Sequence, residues 1–266
     1  MRAPLVLVTV LATASCSAAA RGAEPAPDPP SNGAEVMRAE VLEVRPHDRT
    51  AFTQGFEIAD GVLYEGTGLE GESTMRATDP KTGAVTRKVD LPPEFFGEGI
   101  TVVDDTIWQL TWQNGVAIRR DRATLAERER VGYTGEGWGI CHDGERLVMS
   151  DGSAELTFRD PETFAETGRQ EVHDDEGTPV ERLNELECVD GSVYANVWLT
   201  DSIVRIDPDS GDVTATVDLA GLLPEEDGVG ADVLNGIAAI PDTDEFLVTG
   251  KLWPKMFRVR FVTAQG

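Results

Sequence analysis

Apolar and polar positions alternate in short runs along most of this chain, and the runs are separated by turns rich in Gly, Asp and Asn. Apolar residues at helical spacing are nearly absent. Alternation with period two, punctuated in this way, predicts short antiparallel strands joined by hairpins. One unit returns five times: an apolar strand, an acidic turn and a second apolar strand. The copies are GFEIADGVLYEGTG, GITVVDDTIWQLTW, WGICHDGERLVMSDG, ELECVDGSVYANVW and GIAAIPDTDEFLVTGK. Their turn aspartates are Asp60, Asp104, Asp143, Asp190 and Asp242, so the repeat recurs every 39 to 52 residues. A period of this size is expected of one four-stranded sheet per repeat.

The second half of the unit repeats as well, in RATDPKTGAVTRKVDL, IRRDRATLAERERV, TFRDPETFAETGRQEV and VRIDPDSGDVTATVDL. DPDSGD has a faint likeness to a calcium loop. Its siblings DPKTGA and DPETFA mark it instead as a hairpin turn. The fifth unit ends after MFRVRFV, one strand short, and MRAEVLEVRPH at residues 37–47 supplies a strand at the other end of the chain. Pairing the two closes a ring and removes the long free edges. The expected fold is therefore all-β: a five-bladed β-propeller whose last blade is closed by the N-terminal strand.

In such a blade the start of the first strand and the end of the second lie on one face. Counting six residues back from each turn aspartate gives Gln54, Glu98, Gly137 and Asn184, with Asn235 in the longer fifth unit. Counting eight forward gives Gly68, Trp112, Asp151 and Trp198, with Lys251 in the fifth. One mouth of the channel is thus expected to gather a carboxylate, an ammonium, three carboxamides and several indoles, including Trp138 beside Gly137. Phe52 and Phe96 would line the rim, and Gly97 and Gly99 would leave room for a ligand to approach Glu98. Indoles are costly to expose and are enriched where ligands bind. The bland alternative is that the tryptophans cover the channel end and the amides cap strands.

Composition narrows the class. The chain has 266 residues and a formal charge of −25, which argues against nucleic acid as a partner. Residues 1–20 read as an export signal, with an apolar core from Leu5 to Ala12. Residues 21–36, rich in Pro, Ala and Gly, read as a disordered linker, and residues 37–266 as the five-bladed propeller domain. A competing reading ends the signal before Cys16, which would then carry a lipid anchor and be the protein's only tie to a membrane. Either way the domain is expected outside the cytoplasm, secreted, periplasmic or at the cell surface, and as a monomer. Cys141 and Cys188 occupy the same point of two repeats, so a disulfide and two buried thiols are both open. His47, His142 and His173 lack metal-ligand spacing and are expected in solvated turns. No G-x-S-x-G elbow is present.

FTQGF, FFGEGI, QLTWQNG, GEGWGI, LNELE with ANVWLTDSIVRI, DVLNGIA and VTGKLWPKMFRV occur in order over roughly residues 40–263. In these segments the chain resembles glutaminyl-peptide cyclotransferases of the plant and bacterial type. The resemblance implies a five-bladed propeller that converts the N-terminal glutamine of peptides and proteins to pyroglutamate and releases ammonia, with no metal or other cofactor. It implies that Glu98 is the general acid/base. It makes Phe52, Gln54, Phe96, Trp112, Trp138, Asn184, Trp198 and Lys251 substrate-binding residues, and Asn235 joins them on ring position. Two departures stand out: the acidic excess, and Cys188 where an apolar residue is expected. Two other classes fit a propeller with such a mouth: a metal-dependent lactonase or hydrolase, and a non-catalytic surface binding module. Lys251 and the indoles weigh against a metal at that mouth, because an ammonium repels a cation.

Overall fold

The computed structural model describes residues 33–264; the stretch read as an export signal, Cys16 and most of the stretch read as a linker lie outside these residues. Twenty β-strands and one short 3-10 turn at Glu225–Asp227 make up the described chain. Three sheets have four strands each. The first contains β2 (Thr53–Ala59), β3 (Val62–Thr67), β4 (Thr74–Thr78) and β5 (Val85–Asp90). The second contains β6 (Gly97–Val103), β7 (Thr106–Thr111), β8 (Val116–Asp121) and β9 (Glu127–Gly132). The third contains β10 (Ile140–His142), β11 (Leu147–Met149), β12 (Glu155–Arg159) and β13 (Glu166–Glu171). The fourth sheet has eight strands. One half is β14 (Leu183–Val189), β15 (Ser192–Val197), β16 (Ser202–Ile206) and β17 (Val213–Asp218). The other is β1 (Glu35–Pro46), β20 (Lys255–Thr263), β19 (Glu245–Gly250) and β18 (Leu234–Ala239).

β1 does pair antiparallel with β20, Met37 opposite Thr263 through Pro46 opposite Lys255. It starts two residues earlier than the alternation suggests because Glu35–Arg38 also pair in parallel with Ala215–Asp218 of β17. That short parallel ladder fuses two four-strand groups into one sheet, which the hairpin pattern could not reveal.

The turns follow from their residues. Asp60 and Gly61 both have positive φ, as do Asp190 and Gly191, the two-residue turn whose twist matches a hairpin. In the second hairpins, Asp79, Asp160 and Asp207 each turn a side-chain oxygen onto the backbone N–H groups two and three residues on. DPDSGD is thus the same hairpin turn as its siblings.

The first strand of each repeat packs against the first strand of the next: β2 on β6, β6 on β10, β10 on β14, β14 on β18, and β18 back on β2. An apolar cluster fills each of these five junctions. Tyr64 and Met75 meet Ile100 and Ile107; Trp108 and Leu110 meet Ile140 and Phe164; Val148 and Phe158 meet Leu183 and Val193. Ile203 and Val217 meet Phe246 and Phe257, and Leu247 and Met256 meet Phe56 and Leu63. The first and second strands are largely buried and carry most of these apolar residues, with polar side chains such as Glu65, Gln109 and Asn196 buried among them. Cys141 on β10 and Cys188 on β14 form a disulfide across the third junction, with Cα atoms 5.4 Å apart. His47 corrects another expectation. Its ring is buried rather than solvated, with Nε2 3.0 Å from Glu65 Oε1 and Nδ1 2.8 Å from the Trp253 carbonyl.

Candidate active site

The ring residues are aimed by β-bulges. Register shifts fall between Thr53 and Gly55, Gly97 and Ile100, Leu183 and Leu186, and Leu234 and Ile237. Gln54, Glu98, Asn184 and Asn235 sit in these bulges, where an extra residue re-aims a side chain without breaking the sheet. The second ring is tied to the same face by backbone bonds. The N–H of Gly68, Trp112, Trp198 and Lys251 donates to the carbonyl of Phe52, Phe96, Arg182 and Val233, at 2.8 to 3.0 Å.

The third repeat departs from the count. Trp138, not Gly137, stands two residues before the buried Ile140, as Gln54 stands before Phe56 and Glu98 before Ile100. The reason is the turn: Asp143 caps a longer loop, taking the N–H groups of Glu145 and Arg146, and it follows Ile140 one position sooner than Asp60 follows Phe56 or Asp104 follows Ile100. The glycines flanking Glu98 also serve another purpose. A Cβ on Gly99 would lie 2.7 Å from the Trp138 carbonyl oxygen, and one on Gly97 2.8 Å from that of Thr67. They allow close packing of backbone, with Gly99 N–H donating to Trp138 O at 2.8 Å, rather than leaving space for a ligand.

A cavity of about 270 Å³ opens at this mouth. Phe52, Gln54, Phe96, Glu98, Trp112, Trp138, Asn184, Trp198 and Lys251 all line it, joined by Leu199 and Asp232. Asn235 lies behind: its Nδ2 donates to the Thr53 carbonyl at 3.0 Å and to Gln54 Oε1 at 3.3 Å. Gln54 Nε2 then donates to Glu98 Oε1 at 2.9 Å. Asn235 therefore orients the amide that orients the acid. Asp151, of the second ring, turns away and caps its own loop at Ser153.

Aromatic rings form most of the wall. Phe52 meets Phe96 edge-on at 6.0 Å, Phe96 meets Trp112 at 5.6 Å, and Trp138 meets Trp198 edge-on at 5.4 Å. Lys251 Nζ sits 4.9 Å from the Phe52 ring centroid. Burial pushes the Glu98 carboxyl well above its ordinary range; the Lys251 charge pulls it back and the Glu136 charge pushes it further up. Burial likewise lowers the Lys251 ammonium, against the pull of Glu98 and Asp232. The pocket thus holds a carboxyl and an amine whose charged forms are both disfavoured by burial.

Glu136 is the residue that the counting missed. It accepts the indole N–H of both Trp112 and Trp138. Its signal was present: it stands two residues before Trp138, as Phe52 and Phe96 stand before Gln54 and Glu98. Leu199 and Asp232, just past Trp198 and ahead of the fifth strand start, carried no comparable mark.

A sequence profile described as glutamine cyclotransferase matches residues 7–261. The chain belongs to the glutamine cyclotransferase family. A glutaminyl-peptide cyclotransferase of Arabidopsis thaliana is 37% identical over 236 residues, spanning 87% of this chain and 73% of the plant protein. The crystal structure of Myxococcus xanthus glutaminyl cyclase superposes with a TM-score of 0.78 at 34% identity, over 87% of this chain and all of that one. The family match runs through every ring residue, so the bulges, the aromatic wall and Glu98 all lie within the shared region.

Proposed function

We infer that this protein cyclises the N-terminal glutamine of peptides and proteins to pyroglutamate, releasing ammonia, with Glu98 as general acid/base. The observation that carries the reading is a single buried carboxyl, raised in proton affinity and held by Gln54, inside an aromatic pocket that also holds Lys251. Family membership and the two relatives point to the same activity. The reaction joins the substrate's α-nitrogen to its own side-chain carboxamide carbon and breaks the bond from that carbon to the amide nitrogen. One proton must pass from the attacking to the leaving nitrogen. Glu98 collects it from the first and delivers it to the second. A free α-amine titrates near ~7.7–8.0, so its proton is only weakly held. The indole and phenyl walls fold the flexible side chain so that amine and carbon meet, which in ideal cases lowers such barriers by about 7–11 kcal/mol. Lys251 and the amides of Gln54 and Asn184 supply the charge and dipoles for the carboxamide oxygen.

The scaffold in this reading is a five-bladed propeller. Its support is the cycle of five first strands and the apolar cluster in each of five junctions. The Cys141–Cys188 disulfide supports export to an oxidising compartment. Metal independence belongs to the same proposal. Among the described residues no group of three or more His, Cys, Asp or Glu is placed to hold a metal ion. Purified protein incubated with a Gln-initial peptide is expected to yield a product lighter by one ammonia, equally with and without EDTA. An unchanged peptide mass would refute the cyclase reading, and loss of turnover in EDTA would favour the metal hydrolase class.

A further inference from the structure

Both halves of the pocket's aromatic wall hang on one acid. Glu136 Oε2 accepts the indole N–H of Trp112 at 2.8 Å and that of Trp138 at 3.0 Å, while Oε1 accepts the amide of Gln113 at 2.9 Å. Trp112 follows β7 and Trp138 precedes β10, so the two indoles come from different sheets. Each leads to a further ring: Trp112 packs on Phe96, and Trp138 on Trp198. An indole N–H that loses its acceptor in such a place turns toward solvent or toward the ligand space, and the ring turns with it. The segment carrying Glu136 is itself braced. A Cβ on Gly137 would fall 2.2 Å from the Tyr133 hydroxyl, which donates to the Thr111 carbonyl.

We propose that Glu136 is a positioning residue whose one carboxylate fixes Trp112 and Trp138, across a sheet junction, in the orientation that shapes the substrate pocket. Its kinetic consequence rests on the cyclase reading; its structural consequence does not. Three neutral donors hold Glu136 below the ordinary carboxylate range despite the opposing effect of burial, so it is an anion at working pH. That anion also acts on Glu98. The other groups facing Glu98 are the Lys251 ammonium, which favours its ionisation, Tyr133, and the Gln54 amide. Removing the Glu136 charge leaves Lys251 unopposed and makes Glu98 the stronger acid.

The test compares Glu136→Ala with Glu136→Gln in the full chain. Circular dichroism of the free protein reads the exciton couplet of the edge-on Trp138–Trp198 pair; steady-state kinetics on a Gln-initial peptide follow across pH. Glu136→Ala is expected to weaken the couplet and to lower kcat/KM by about tenfold to a hundredfold, mostly through KM. Glu136→Gln keeps an acceptor oxygen, so it is expected to preserve the couplet and lose less. It should move the limb of the rate profile set by Glu98 to lower pH, which a purely structural role would not do. An unchanged couplet and unchanged kcat/KM in Glu136→Ala would overturn the positioning role. Should that variant fail to fold, Glu136→Gln still decides: a pH profile identical to wild type overturns the proposal. The couplet needs no substrate. A wild-type protein that released no ammonia would therefore sink the cyclase reading while leaving this part of the test intact.

Discussion

Glu98 and Glu185 invite comparison. Both carboxyls are buried at the start of a first strand, and burial raises both well above the ordinary range. Glu185 stands where other repeats carry Gly55, Gly99, Gly139 and Gly236. Its Oε1 accepts the Phe56 N–H at 3.1 Å and its Oε2 the Ile237 N–H at 2.8 Å, so it ties β14 to the backbones of β2 and β18. Glu98 accepts the Gln54 amide and otherwise faces the cavity. On the reading proposed above, the same buried side chain is a strut in one place and a proton carrier in the other. What separates them is whether the remaining lone pairs are used up by the fold or left open to a ligand.

Beyond Glu98 itself, the largest effect is expected at its neighbour. Lys251→Met removes the only cation among the described residues that line the pocket and should lower kcat on a Gln-initial peptide by about 10²–10³, as when one charge-stabilising donor is lost. Next comes the strand that carries Glu185. Replacing both Cys141 and Cys188 with Ala opens a link spanning 47 residues and should cost about 2–4 kcal/mol in denaturant unfolding. The kcat of the folded fraction should hold, because neither sulfur touches the pocket. Glu185→Gln turns an amide toward two backbone donors and should cost about 1–3 kcal/mol, again with kcat little changed. A large fall in kcat with no loss of stability would erase the distinction drawn between the two acids.

The smallest effect is on pH dependence. Glu98, Glu185 and Glu187 are raised well above their ordinary value by burial, and burial lifts the half-buried Glu57 to about 7. The folded state then holds protons that the unfolded chain has released. The stability from these groups is complete below the ordinary carboxylate value and is lost as pH rises through the folded one. Melting temperature should decline from about pH 5 toward 7, and Glu57→Gln should flatten part of that decline.

Much of this was legible in the chain. The hairpin repeat placed all the strands, because stacked sheets demand apolar first and second strands and aspartate marks their turns. Its fixed offset also brought Gln54, Glu98, Trp112, Asn184, Trp198 and Lys251 to one cavity, since a fixed offset from a turn is a fixed depth in a sheet, and Phe52, Phe96 and Trp138 joined them as chain neighbours of ring positions. The offset failed at Asp143, where a longer turn loop shifts the count by one. The disulfide needed a distance between neighbouring first strands that no repeat length supplies. Glu136, Asp232 and the buried His47–Glu65 pair escaped notice because, in a chain this acidic, one more charged residue reads as solvated surface. Trp112 reaches Glu136 from another sheet, as Glu65 reaches His47, and only the folded geometry introduces them.

The most direct measurement is ammonia release from a Gln-initial dipeptide by Glu98→Gln beside wild type, with peptide affinity and melting temperature recorded for both. The account predicts a loss of about 10²–10⁴ in kcat, affinity within a few-fold of wild type, and a melting temperature no lower, since a neutral amide replaces a carboxyl that burial already disfavours as an anion. Ammonia released by the variant at the wild-type rate would contradict it.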